Sequence, residues 1–200
     1  ADIERADFDN DGVQDVAVLT KQGGGKINLL LGTSAGQLLL DNTVVVAYAS
    51  GLARGDFDGD GILDLAVTQT ANKVSADICG LTPSTVVLRG LGGTPALFAD
   101  GREGRAVPIC LPGPGAYLND VVVADFDADG HADLAVADNG AKGIRVYLGA
   151  GDGTFPTPAK NALGAANLHV TGPFATLDLN GDGRLDLVAG LSGGGVVTFL

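Results

Sequence analysis

The sequence predicts an all-β protein assembled from about four repeated units, and three observations carry that prediction. Glycine supplies 32 of 200 residues, more than double ordinary usage, while charged residues make up only 18 %. Many tight turns and few surface-helix residues are the composition of strands joined by hairpins. Four nine-residue segments share the pattern D-x-[DN]-x-D-G-x-x-D, and each runs directly into an apolar triplet. They begin at Asp7, Asp56, Asp125 and Asp178, at spacings of 49, 69 and 53 residues. That period is far too long for one turn of a calcium-binding solenoid and matches a small four-stranded sheet.

Composition narrows the class further. The apolar fraction of 46 % is that of a folded chain with a core, and no run approaches 18 apolar residues, which excludes a membrane-spanning helix. With no methionine and no charged-then-apolar leader, the chain reads as a processed product or a segment of something longer. The net charge of −12 argues against nucleic acid as a partner. Fifteen of the 24 acidic side chains lie in the four segments, with Arg184 the single basic residue among them. Acidity that served solubility alone would be spread out, so something positive is expected in these four places.

The elements follow in order within a single array covering residues 1–200, of the β-propeller type. The first unit, about 1–50, has its acidic loop at Asp7–Asp15, strand three at Ile27–Leu31 and strand four at Thr43–Tyr48. The second, 51–119, carries its loop at Asp56–Asp64 and an insertion over 71–115. The third, 120–172, is the clearest. Its first strand is Asp120–Ala124 and its second Ala132–Ala137, then comes a turn at Asp138-Asn139-Gly140. Strand three runs Ile144–Leu148, and a glycine-rich turn leads to a looser outer strand. The fourth, 173–200, has strands at Leu185–Ala189 and Gly195–Leu200 and is incomplete. Each of the four blades is expected to be an antiparallel sheet with a cation loop joining strands one and two.

Within the loops the chemistry is that of a hard cation. Four acidic positions in nine residues repel one another unless neutralised. Positions 1, 3, 5 and 9 aim side-chain oxygens inward: Asp7, Asp9, Asp11 and Asp15; Asp56, Asp58, Asp60 and Asp64; Asp125, Asp127, Asp129 and Asp133; Asp178, Asn180, Asp182 and Asp186. Glycine at position 6 permits the tight turn. The backbone carbonyl of position 7, at Val13, Ile62, His131 and Arg184, adds another oxygen. Five protein oxygens plus water suit Ca²⁺ better than the small octahedron Mg²⁺ demands, so about four Ca²⁺ per chain are expected. Ordinary aspartate-rich turns are the alternative, and four copies in one register weigh against them. An EF-hand is excluded because position 12 is Val18, Val67, Val136 or Ala189 where a bidentate Glu is needed, and because the flanks are strand-like.

The D-F-D-x-D-G-x-x-D-L-A-V core, with the L-G-x-G-D-G-T-F turn at Leu148–Phe155, resembles the FG-GAP/VCBS-type calcium-binding repeat of integrin α-subunit-like propeller blades. The resemblance covers nearly the whole chain and implies Ca²⁺ at the loop positions. The fourth loop departs from it with Leu179 and Asn180, and the lost charge implies the weakest site. Seven blades, as in such propellers, would take roughly 350 residues. The chain is therefore consecutive blades of a longer one, a closed four-blade ring, or a unit completed by another chain.

Cys79 and Cys110 are the only cysteines. A disulfide between them would close a loop of about 32 residues and contribute about 3.7 kcal/mol. Two free thiols are the alternative. The prolines and glycines of Pro108–Gly115 read as a surface loop. No constellation for catalysis is evident. Gly-x-Ser-x-Gly strings around Ser34 and Ser192 fall between strands, where a nucleophile elbow needs a helix to follow. The His131 ring is expected in solvent. The expected function is a secreted, calcium-stabilised structural or adhesive module, extracellular or at the cell surface and not an enzyme. Its partner would be another protein or copies of itself, through an exposed strand edge and the insertion loop. The alternatives are a carbohydrate-binding propeller and a non-catalytic propeller appended to an extracellular enzyme.

Overall fold

A computed structural model describes residues 2–22, 25–70, 84–93, 98, 109–112, 117–140, 143–156, 160–161 and 169–199. The described residues form four antiparallel sheets in chain order. The first holds β1 (Asp2–Ala6), β2 (Asp15–Thr20), β3 (Lys26–Gly32) and β4 (Leu38–Val45). The second holds β5 (Ala49–Gly55), β6 (Asp64–Gln69), β7 (Ser84–Leu88) and β8 (Ile109–Pro112). The third holds β9 (Leu118–Ala124), β10 (Asp133–Asp138), β11 (Gly143–Tyr147) and β12 (Lys160–Asn161). The fourth has three strands, β13 (Val170–Leu177), β14 (Asp186–Leu191) and β15 (Val196–Phe199). In every sheet each strand pairs with the next in sequence. No helix among the described residues is long and apolar enough to cross a membrane.

The cores lie between sheets, one for each successive pair. The first combines Phe8, Ala17, Leu19, Ile27 and Leu29 with Leu65, Val67, Val86 and Leu88. The second joins Phe57, Ala66 and Val87 to Leu118, Leu134, Val136 and Tyr147. The third joins Ala135, Ala137 and Ile144 to Leu187 and Ala189. This division accounts for the apolar triplet. Along β6, Leu65 and Val67 enter the core shared with the first sheet, and Ala66 the core shared with the third. Strand β10 repeats this, with Leu134 and Val136 towards the second sheet and Ala135 towards the fourth. A small residue on one face lets neighbouring sheets approach closely, because core packing leaves no room for a second branched layer. Strands β6 and β10 are consequently buried at every position, whereas β2 in the first sheet alternates. The first strands of successive sheets lie together, β5 against both β1 and β9, and β9 against β13. A cavity of about 470 Å³ opens between them, lined by residues including Glu4, Arg54, Asp120 and Phe174.

Several boundaries differ from the sequence expectation. Strand four of the first sheet is Leu38–Val45, not Thr43–Tyr48. A tight turn closes immediately after β3, with Gly36 N donating to Thr33 O at 2.8 Å, so pairing with β3 resumes at Leu38. Tyr48 itself has φ of 57°, outside the strand region. Strands β5, β9 and β13 begin at Ala49, Leu118 and Val170, a little before the unit boundaries at 51, 120 and 173. The stretch 71–115 is not solely an insertion, because it contains β7 and β8. Ile109–Pro112 is likewise strand rather than loop, since its backbone pairs with Ser84–Val87 and the ladder outweighs the flanking prolines. The last strand is Val196–Phe199 within the expected Gly195–Leu200. Cys79 and the rest of the 71–83 segment lie outside the described residues.

Candidate metal centres

Each acidic loop joins strands one and two of its sheet, and its ninth residue anchors it. Asp15, Asp64 and Asp133 are 0 % exposed, each on the first residue of a second strand. One carboxylate oxygen of each accepts the amide of position 2: Phe8 N at 2.7 Å, Phe57 N at 2.9 Å and Phe126 N at 2.8 Å. The other oxygen accepts the amide of a glycine just past strand three or at its end: Gly32 at 2.8 Å, Gly90 at 2.7 Å and Gly149 at 2.8 Å. A single carboxylate thereby ties strands one, two and three together. Asp186 keeps the first contact, accepting Leu179 N at 2.8 Å.

The three glycines were not singled out from sequence. A Cβ on Gly32, Gly90 or Gly149 would lie 2.2, 2.5 or 2.3 Å from the carbonyl oxygen of Gln14, Leu63 or Ala132. Space, not φ, requires glycine there. The available signal was a glycine closing strand three in each of the first three units.

Positions 1 and 5 shape the loop itself. Asp7 accepts the amides of Asp11 and Gly12, Asp56 those of Gly59 and Gly61, and Asp125 those of Asp129 and Gly130. Asp178 accepts Gly181 and Gly183 in the same manner, and these amides hold its carboxyl below the usual range. Position 5 turns to the amide of position 7: Asp11 to Val13, Asp60 to Ile62, Asp129 to His131 and Asp182 to Arg184. Position 4 is left-handed in every loop, at Asn10, Gly59, Ala128 and Gly181, as is the glycine at position 6. The left-handed pair, absent from the sequence reading at position 4, curls the loop so that positions 1, 3 and 9 converge.

Three carboxylate triads result: Asp7, Asp9 and Asp15; Asp56, Asp58 and Asp64; Asp125, Asp127 and Asp133. In each, one oxygen per residue lies within 4.8 Å of the others. Oxygens sharing a calcium at about 2.4 Å are at most about 4.8 Å apart, so each triad is a donor set that one hard divalent ion could share. The structure leaves Asp11, Asp60 and Asp129 outside these triads. In the fourth loop Asn180 stands at position 3 and hydrogen-bonds with Asp182, donating from Nδ2 at 3.2 Å and accepting its amide with Oδ1 at 2.9 Å. That loop brings no carboxylate triad together among the described residues.

Burial and mutual repulsion leave a mark on the triads. Burial first, then the charges of Asp58 and Asp60, push the Asp64 carboxyl from an ordinary 3.8 up to about 7, against the pull of two amides. Asp133 is raised for the same reasons, burial first and then Asp127 and Asp129.

The loops are also where successive sheets meet. Gly93 N, beyond β7, donates to Asp9 O at 3.0 Å, and Gly153 N, beyond β11, donates to Phe57 O at 2.8 Å. The aromatic residues beside these turns follow suit. Phe98 meets Phe8 edge-on at 6.0 Å between ring centroids, and Phe155 meets Phe57 at 5.9 Å. Phe98 thus repeats the role of Phe155 without the sequence motif that marks it. His131 is exposed, as expected, and its ring lies over Gly151, where a Cβ would collide with Nδ1.

Residues 7–67 and 125–189 match a family model described as an FG-GAP-like repeat. No curated protein matches the chain.

Proposed function

Because the chain belongs to the FG-GAP-like repeat family, we propose that it is a secreted, calcium-stabilised structural or adhesive module, its sheets arranged as propeller blades. The observation that carries this reading is the threefold recurrence of a carboxylate triad sized for one hard cation. Asp7, Asp9 and Asp15, with their counterparts in the second and third loops, would hold Ca²⁺. Position 5, the carbonyls of Val13, Ile62 and His131, and water would complete each shell. The fourth loop, with Asn180 and the carbonyl of Arg184, is the weakest site. The ion supplies charge neutralisation and nothing more. The chain's residues do the positioning: position 9 ties three strands together, and the loops receive the turns of the next sheet.

Placement outside the cell is part of the same proposal, as the setting in which a calcium-dependent fold and a Cys79–Cys110 disulfide would both persist; Cys79 lies outside the described residues. Protein contact or self-assembly is supported by surfaces that successive sheets cover elsewhere. Strand β2 leaves Val16 and Val18 half-buried on the face away from the second sheet, and Ile3 is 64 % exposed. Strand β15 pairs only with β14 among the described residues, and its Val196 is 65 % exposed. An unpaired edge with apolar side chains is a template for another strand.

The test couples mass to metal, by light scattering and calcium stoichiometry before and after chelation. A large assembly carrying three to four ions per chain that dissociates on chelation is the expected result. A stable monomer would remove the assembly reading, and no bound calcium would remove the whole proposal.

A further inference from the structure

The second triad has a feature that the third lacks. Arg89, between β7 and Gly90, places Nη1 3.6 Å from Asp58 Oδ2. Its Nε is buried with no hydrogen-bond partner, so among the described residues Asp58 is the polar group that engages this guanidinium. The equivalent residue, directly before the glycine that caps position 9, is Leu31 in the first sheet and Leu148 in the third. Among the described residues no basic side chain pairs with Asp125, Asp127 or Asp133. Arg89 also runs beneath the turn of the next sheet, its Cδ 3.8 Å from where a Cβ on Gly153 would stand. The guanidinium is therefore held at the triad by packing as well as by charge.

We propose that Arg89 is a resident countercharge that sets the affinity of the second site, making it weaker for calcium than the third. The proposal rests on the calcium reading above. A guanidinium always carries its charge, so it satisfies part of Asp58 before any ion arrives and repels the ion once it does. Because Arg89 is 36 % exposed, solvent screens this effect and limits it to roughly tenfold in affinity. Sites of graded affinity on otherwise equivalent loops would fill in sequence as calcium rises. The second loop would also keep its shape at calcium levels that empty the third.

The amides of Gly61 and Gly130 each donate to the position 1 carboxylate of their own loop, at 3.0 and 2.9 Å, and so report on their own sites. The experiment is a calcium titration of the metal-free full chain labelled with ¹⁵N-glycine, followed by NMR. In the natural chain Gly130 should reach its midpoint at lower calcium than Gly61. Arg89→Leu, which installs the residue of the first and third sheets, should lower the Gly61 midpoint by roughly tenfold and leave Gly130 within about twofold. Arg89→Lys should keep Gly61 near its natural midpoint. Should Arg89→Leu fail to fold, the reverse change Leu148→Arg should raise the Gly130 midpoint and leave Gly61 in place. Coincident midpoints in the natural chain, or a Gly61 midpoint indifferent to Arg89→Leu, would overturn the proposal. No calcium-dependent shift at either glycine would overturn the calcium reading, and this inference with it.

Discussion

At position 9 one carboxylate performs two tasks that differ in their demands. Asp133 accepts two backbone amides, and it also contributes an oxygen to a triad that repels itself. Asp133→Ala orphans the amides of Phe126 and Gly149 in a buried place, so it should destabilise the calcium-free chain by about 2–4 kcal/mol, read from urea unfolding. A purely metal-binding Asp would show its cost only with calcium present. The raised carboxyls set a pH dependence of definite sign. A folded-state value above the unfolded one contributes stability below pH about 4 that is lost as pH rises through the folded value. For Asp64 that window extends from 3.8 to about 7, and Asp133 shifts in the same direction. On the proposed function, bound calcium would hold these groups ionised and cancel the loss. The gain in melting temperature on adding calcium should therefore grow between pH 5 and 8. A gain that is flat or falling over that range would contradict the burial argument.

Elements meet through turns rather than through strands alone. The turn after β11 caps the loop of the sheet before it, by one backbone hydrogen bond and the Phe155–Phe57 contact. Phe155→Ala should cost about 2–3 kcal/mol. Hydrogen exchange should locate the loss, with faster exchange at Phe57–Leu63 and little change across β1–β4. Uniform acceleration would mean that the contact holds up one sheet's interior instead of joining two. The same geometry explains the two kinds of glycine. Those at position 6 have nothing within 4 Å of a Cβ and are needed for their positive φ, whereas Gly149 is needed for the approach of Ala132 O.

Across the whole molecule the sheets form a row in which the second and third are covered on both faces by their neighbours. Among the described residues the first and fourth each pack against one such neighbour. If the outer apolar positions mediate self-association, Val196→Lys should shift light scattering to lower mass. Its folding free energy should stay within about 0.5 kcal/mol, because the side chain is exposed. Unchanged mass would place the contact elsewhere, and the exposed Leu38–Leu40 run of β4 would be tested next.

Read alone, the sequence determined what local chemistry dictates. Loop composition and spacing placed the acidic positions, the glycine at position 6, the repeat of about 50 residues and the strand that follows each loop. It also marked the fourth loop, through Asn180, as the odd one. These are properties of nine or so consecutive residues, where turn geometry and charge repulsion act over short distances. The tertiary structure alone decided which oxygens converge. Positions 1, 3 and 9 form the triads, while position 5 stands outside them with its carboxylate on the amide of position 7. Fold contacts alone showed that Gly32, Gly90 and Gly149 are held to position 9 from 17, 26 and 16 residues away. Only they showed that Phe98 works as Phe155 does, and that Arg89 stands beside Asp58. Each of those depends on which strands lie side by side, and side-chain contacts across strands leave no periodic trace in the chain.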